Sequence, residues 1–285
     1  TTVSSSDLVT NDTTSGETLA FSGSGTVSSA NVQNNQSITL GSIAIADGSG
    51  GGLASNYNLT TGTFDISQKW VNVGGQKIYD ATTTVSSSDL DVTGEVTGES
   101  ISITGTGSVT DKNVGSGKTI DISGLSLSDG SHSASNYTIG TTSFAITRRN
   151  LSISGEKVYD GTGTVSASQI DTVNTAGGET LTISGEGSVS LPSIGTNKSI
   201  TLNTLGISDG TNGTVGLASN YTLDSGSFDI TTKPITLSGS RQYDGTTDVA
   251  SSDLTLIGQV SGESISIAGT GSVTDKNVGV GKTIN

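Results

Sequence analysis

The stretch KIYDATTTV at residues 77–85 returns as KVYDGTGTV at 157–165 and as RQYDGTTDV at 241–249. A chain that restates itself at a nearly constant interval is built from copies of one unit, and its fold must be solved once and then stacked. ASNY ends at Tyr57, Tyr137 and Tyr221, and a phenylalanine follows each at a constant distance, at Phe64, Phe144 and Phe228. The next Tyr-Asp pair begins at an equally constant distance, at Tyr79, Tyr159 and Tyr243, followed by Asp80, Asp160 and Asp244. A Gly-Glu glutamate holds a fixed place after each of these tyrosines, at Glu99, Glu179 and Glu263, and the opening segment supplies Glu17. Asp-Gly keeps the same register behind the glutamates, at Asp47, Asp129 and Asp209.

Only the step from Asp-Gly to Asn-Tyr varies. It runs from Asp47 to Tyr57, from Asp129 to Tyr137 and from Asp209 to Tyr221, shortest in the second case and longest in the third. Length drifts in surface loops and holds in packed elements. The register divides the chain into a partial repeat over 1–68 lacking its first strand, complete repeats over 69–147 and 148–232, and a partial repeat over 233–285 cut in its C-terminal half. Both ends fall inside a repeat, which reads as a segment of a longer array.

Within a repeat the apolar period is two. Ile101 and Ile103 alternate with Ser100 and Ser102; Ile120 and Ile122 with Thr119 and Asp121; Phe144 pairs with Ile146, and Leu151 with Ile153. This is the pattern of strands with one wet face, separated by glycine turns. With 30% hydrophobic and 4% aromatic residues, the chain suits several thin cores better than one large one. Only two prolines and clean alternation argue against disorder. The expected fold is all-β: tandem small β-sandwich-like modules of about 80 residues, forming an elongated rod. A β-solenoid is the alternative, but it predicts a period of about 20–30 residues. A short helical turn at VSSSDL, residues 85–90, fits a serine cap.

K-x-Y-D-G-T, then Gly-Glu, G-x-G-x-V with NVG, and ASNY, resembles the YDG/MBG-type repeats of large bacterial secreted adhesins, the haemagglutinin-like exoproteins. The resemblance covers essentially the whole chain. Ala81 in place of the glycine after Asp80, Arg241 in place of lysine, and LPSIG at 191–195 depart from it. It implies an extracellular or bacterial cell-surface module within a stalk, and no enzyme.

The polar motifs read as architecture. NVGSGKT at 113–119 has Lys112 where a P-loop needs its first glycine, and TIDIS alternates as a strand where a helix should open. His132 is the one histidine and lies in the variable loop. Calcium wants six or more oxygens, and no dense acidic loop recurs: Asp111 and Asp275 become Ser29 and Leu191. Neither a cofactor nor a metal is expected, and cysteine is absent. An isopeptide bond would need a lysine in every copy, but Lys157 is Arg241 and Lys118 is Gln36 elsewhere. Tyr159 is expected to bury its ring and send its hydroxyl to the backbone, Asp160 to turn the chain, and Gly161 to take a conformation other residues dislike.

The partners expected are the neighbouring repeats of the same chain. Head-to-tail self-association through the partial repeats is compatible with this. The alternative function is a binding array that recognises a carbohydrate or a partner cell surface through the variable loops, yet 48–55, 130–135 and 210–219 hold no aromatic residue. A net charge of −14 disfavours nucleic acid, and no apolar run suits membrane insertion. The invariant Phe-to-Tyr interval points to joints without free linker, where Lys69, Arg148, Arg149 and Lys233 can meet carboxylates and Trp70 and Pro234 add stiffness.

Overall fold

A computed structural model describes residues 1–10, 16–224 and 226–285. They fall into two compact units: Thr1–Lys77 with Thr82–Thr147, and Ile78–Ala81 with Arg148–Asn285. Both are all-β. The helical segments among the described residues are single 3-10 turns, and no helix is long and apolar enough to cross a membrane.

The second unit contains the complete repeat 148–232. Its spine is the strand Arg149–Val158, in which Leu151 and Ile153 point inward and are 0% and 1% exposed. One edge of the spine pairs antiparallel with Ile170–Val173. The other edge pairs parallel with Tyr221–Leu223 and then Ser227–Thr231, the last strand of the repeat. That strand pairs antiparallel with Gly195–Thr201, across a register shift between Gly195 and Lys198. The sheet continues through Glu186–Val189 to Thr164–Ser166. A smaller sheet centres Glu179–Ser184 between Gly206–Asp209 and Thr214–Val215. Ile153, Val165, Ile170, Val189, Ile200, Leu205, Phe228 and Ile230 form the core. Among the described residues the strands do not close into a barrel, and the mainly antiparallel sheets exclude the stacked parallel rungs of a solenoid.

The first unit repeats this plan. Lys69–Ile78 pairs with Leu90–Thr93, in a sheet that also holds Tyr137–Thr147 and Gly115–Lys118. Ile101–Val109 pairs with Leu125–Asp129, Ile120–Asp121 and Thr84–Ser86. The opening partial repeat packs Val3, Val27, Ile38 and Ile43 into its own small core. The helical turn expected at VSSSDL is the 3-10 turn Ser87–Asp89, where the Asp89 carboxylate accepts the Ser86 N–H at 3.2 Å.

The parallel pairing of first and last strands positions the functional residues. Lys157 lies opposite Ile230 and Val158 opposite Thr231, and Tyr159 N–H donates to the Thr231 carbonyl at 2.9 Å. The Tyr-Asp loop therefore leaves the sheet where both terminal strands of the repeat stop.

Candidate functional site: a tyrosine–glutamate socket

The K-x-Y-D-G-T motif is a staple closed on itself. Lys157 is 6% exposed, and its ammonium donates to the Thr162 carbonyl and Oγ1, both at 3.0 Å, to the Thr164 carbonyl at 2.7 Å and to Asp160 Oδ2 at 3.0 Å. Lys77, 9% exposed, holds Thr82 and Thr84 in the same way. Arg241 reaches Thr246 and Asp244. A buried ammonium is tolerated because carbonyls and a carboxylate replace its water.

Asp160 Oδ1 accepts the Thr162 N–H at 2.9 Å, and Asp244 Oδ1 the Thr246 N–H at 2.9 Å, the Asx turns expected of them. Asp80, Asp160 and Asp244 are not buried. Gly161 and Gly245 sit at φ +80° and +78°, and Ala81 holds the same left-handed region at +65°. Burial pushes the Asp160 carboxyl up, but the Lys157 and Thr162 bonds outweigh it and the pKa is lowered; Arg241 and Thr246 hold Asp244 down to about 2.

The loop that leaves this staple carries its tyrosine into the following repeat. Tyr79 belongs to the second unit, where it is 0% exposed and its hydroxyl donates to Glu179 Oε1 at 2.7 Å. Glu179 is 3% exposed, and its other oxygen accepts the hydroxyl of Tyr221 at 2.8 Å. Tyr221 in turn accepts the Ala176 N–H at 3.0 Å. The two rings meet edge to face, with centroids 5.4 Å apart at 78°. One buried carboxylate is thus clamped by two phenols from different repeats.

The socket recurs in parts. Tyr57 donates to Glu17 at 2.5 Å, and Tyr137 donates to Glu99 while accepting the Val96 N–H at 3.2 Å. Tyr159, half-buried, donates to Glu263, again in the next repeat. Tyr243 is 62% exposed. The expectation that the Tyr-Asp hydroxyls bond backbone is therefore corrected. Tyr79 and Tyr159 bond carboxylates, and the backbone bond belongs to Tyr137 and Tyr221 of Asn-Tyr. Among the phenylalanines, Phe144 and Phe228 are core residues at 1% and 0% exposed, and Phe64 is half-buried.

The other recurring acid is also committed to structure. Asp47, Asp129 and Asp209 accept the N–H of Ala54, Ala134 and Ala218 at 2.8, 2.7 and 2.7 Å. The variable loop is pinned by one constant bond, so its length changes without disturbing the strands beyond. No group of three His, Cys, Asp or Glu able to hold a metal ion occurs among the described residues. His132 lies at the surface, 3.9 Å from Glu99. Gly115–Lys118 is a strand, and Lys118 pairs with Asp111 at 2.7 Å.

The basic residues at the junctions behave differently from expectation. Arg148 donates to the Ser219 carbonyl at 3.1 Å and Arg149 to the Asn174 carbonyl at 2.6 Å, each a backbone oxygen in place of a carboxylate. Gln68 makes the bond equivalent to that of Arg148, to Ser135 at 3.1 Å. Trp70 is 72% exposed, so it does not stiffen the chain by burial.

These bonds set a pH dependence. The Tyr137 and Tyr159 pKa values are raised, chiefly by hydrogen bonds to Glu99 and Glu263, and that of Tyr221 is raised by burial and then by Glu179. A phenol that holds its proton longer folded than unfolded contributes stability that is complete below its unfolded pKa of about 10 and fades as pH climbs through the folded value. Thermal melting followed from about pH 8 to about pH 12 is expected to stay level to about pH 10 and then fall. A melting temperature unchanged above that point would contradict the socket.

A model of the YDG domain matches residues 68–144, 147–228 and 230–285. No curated protein and no solved structure matches the chain.

Proposed function

The chain belongs to the YDG domain family, and from that premise we propose that it is a structural spacer: stalk repeats of a bacterial surface or secreted adhesin, serving cell adhesion or a biofilm matrix outside the cell. The observation that carries this reading is Tyr79, a residue of one repeat that is fully buried in the next and bonded there to Glu179. A flexible tether contributes no core residue to its neighbour. A chain whose repeats complete one another's cores transmits position and force along its length, which is what a stalk must do.

A non-enzymatic role fits the same observations. Lys77 and Lys157 are held by their own turns, Asp47, Asp129 and Asp209 by a backbone amide, and Glu17, Glu99, Glu179 and Glu263 by a phenol. The net negative charge supports solubility at high local density. Small-angle scattering on the chain in solution tests the reading. A distance distribution fitting a single rigid, elongated particle is expected; a broad ensemble of angles between repeats would refute the stalk.

A further inference from the structure

Where the Tyr-Asp loop meets the Gly-Glu loop, two positions are matched in size. A Cβ on Gly177 would lie 2.9 Å from the Ala81 Cβ. A Cβ on Gly161 would lie 2.7 Å from Val260 Cγ1 and 3.9 Å from Glu263 Oε1. Carbon atoms in contact settle at about 3.5–4.0 Å, so both additions would force a shift. The two contacts fall at neighbouring places of the glutamate loop: Gly177 lies two residues before Glu179, where the next repeat has Ser261, and Val260 lies three before Glu263, where the earlier repeat has Ala176. In the first, the tyrosine loop carries the methyl (Ala81) and the glutamate loop the glycine. In the second, the tyrosine loop carries the glycine and the glutamate loop the bulk (Val260).

Backbone conformation alone does not account for alanine at 81 and glycine at 161. Positions 81 and 161 share the left-handed region, at φ +65° and +80°, and Ala81 shows that alanine can be held there. Glycine at 161 is set by what it faces, the Val260 side chain, and not by its dihedral alone.

We propose that residues 81 with 177, and 161 with 260, are complementary pairs that determine which repeat can seat against which. The loop bearing Ala81 fits a glutamate loop carrying Ala176 and Gly177 and is rejected by one carrying Val260 and Ser261. The loop bearing Gly161 accepts the valine. Tandem copies of one fold risk pairing out of order within a chain or between chains, and a steric mismatch at the seat disfavours the wrong neighbour. The inference stands whether or not the array serves as a stalk.

Amide hydrogen exchange on the full chain tests it at residues 259–264, where the Glu263 N–H is bonded to the Val260 carbonyl at 3.2 Å. Gly161→Ala is expected to speed exchange there about tenfold, within the range for residues in contact. Adding Val260→Ala should bring the rate back to within about twofold of Val260→Ala alone. The reciprocal arm uses Gly177→Ala, with exchange at 176–179 partly restored by Ala81→Gly. Exchange in Gly161→Ala/Val260→Ala as fast as in Gly161→Ala, with no restoration by Ala81→Gly, would overturn the pairing and leave only backbone strain at the glycines.

Discussion

Tyr79→Ala is expected to destabilise the repeat 148–232 by about 3–5 kcal/mol, the cost of deleting a buried aromatic ring. Its own repeat, 69–147, should lose far less. The reason is placement: the ring is 0% exposed and packs edge to face on Tyr221 in the second unit. Deleting it opens a cavity beside a carboxylate that is 3% exposed, and Glu179 loses one of its two phenol donors. Tyr79→Phe keeps the ring and removes only the hydroxyl, so about 1.5–3 kcal/mol is expected, the value of a hydrogen bond to a charged group. Denaturant unfolding of the full chain, with a probe in each repeat, separates the two locations. Equal losses in both repeats, or a loss confined to 69–147, would contradict the assignment.

Glu179→Ala should be comparably severe through a different route. It removes the carboxylate acceptor of two buried hydroxyls at once, those of Tyr79 and Tyr221, at about 1–3 kcal/mol for each donor so deprived. Tyr221 retains the Ala176 N–H as a donor to its oxygen but loses the carboxylate that accepted its own proton. With the carboxylate gone, the second cause of the raised Tyr221 pKa disappears as well. Spectrophotometric titration of the variant should show tyrosine ionising at lower pH than in the parent. A variant with parental stability and an unchanged titration would show that the carboxylate is not the hub.

The sequence carried the strands and turns well, because their causes are local. Leu151 and Ile153 alternate with Ser152 and Ser154, and burial follows that alternation. Asp160 and Gly161 are turn residues for reasons contained in two or three positions. The socket was not legible for the opposite reason. Tyr79 bonds Glu179, far along the chain in the next repeat. Each of these tyrosines also has a nearer glutamate downstream in its own repeat, Glu99 for Tyr79 and Glu179 for Tyr159. A strict register makes the two assignments look alike, since both spacings recur.

Lys157 was hidden by its type: lysine is almost never buried unless its ammonium is fully bonded. The signal available was the threonine held at a constant distance in Thr82, Thr162 and Thr246. The bonds of Arg148 and Arg149 were beyond reach, because a backbone carbonyl has no residue type to announce it. The parallel pairing of first and last strands could not come from periodicity, which gives faces and leaves neighbours open.

A double-mutant cycle on Tyr79→Phe and Glu179→Gln, measured by denaturant unfolding of the full chain, asks directly whether a residue of one repeat is part of the next. If the hydroxyl and the carboxylate are partners, the two losses will not add, and the coupling will be about 1–3 kcal/mol. A coupling near zero, with the two losses simply summing, would mean that Tyr79 and Glu179 do not meet and that the repeats are joined by something other than this socket.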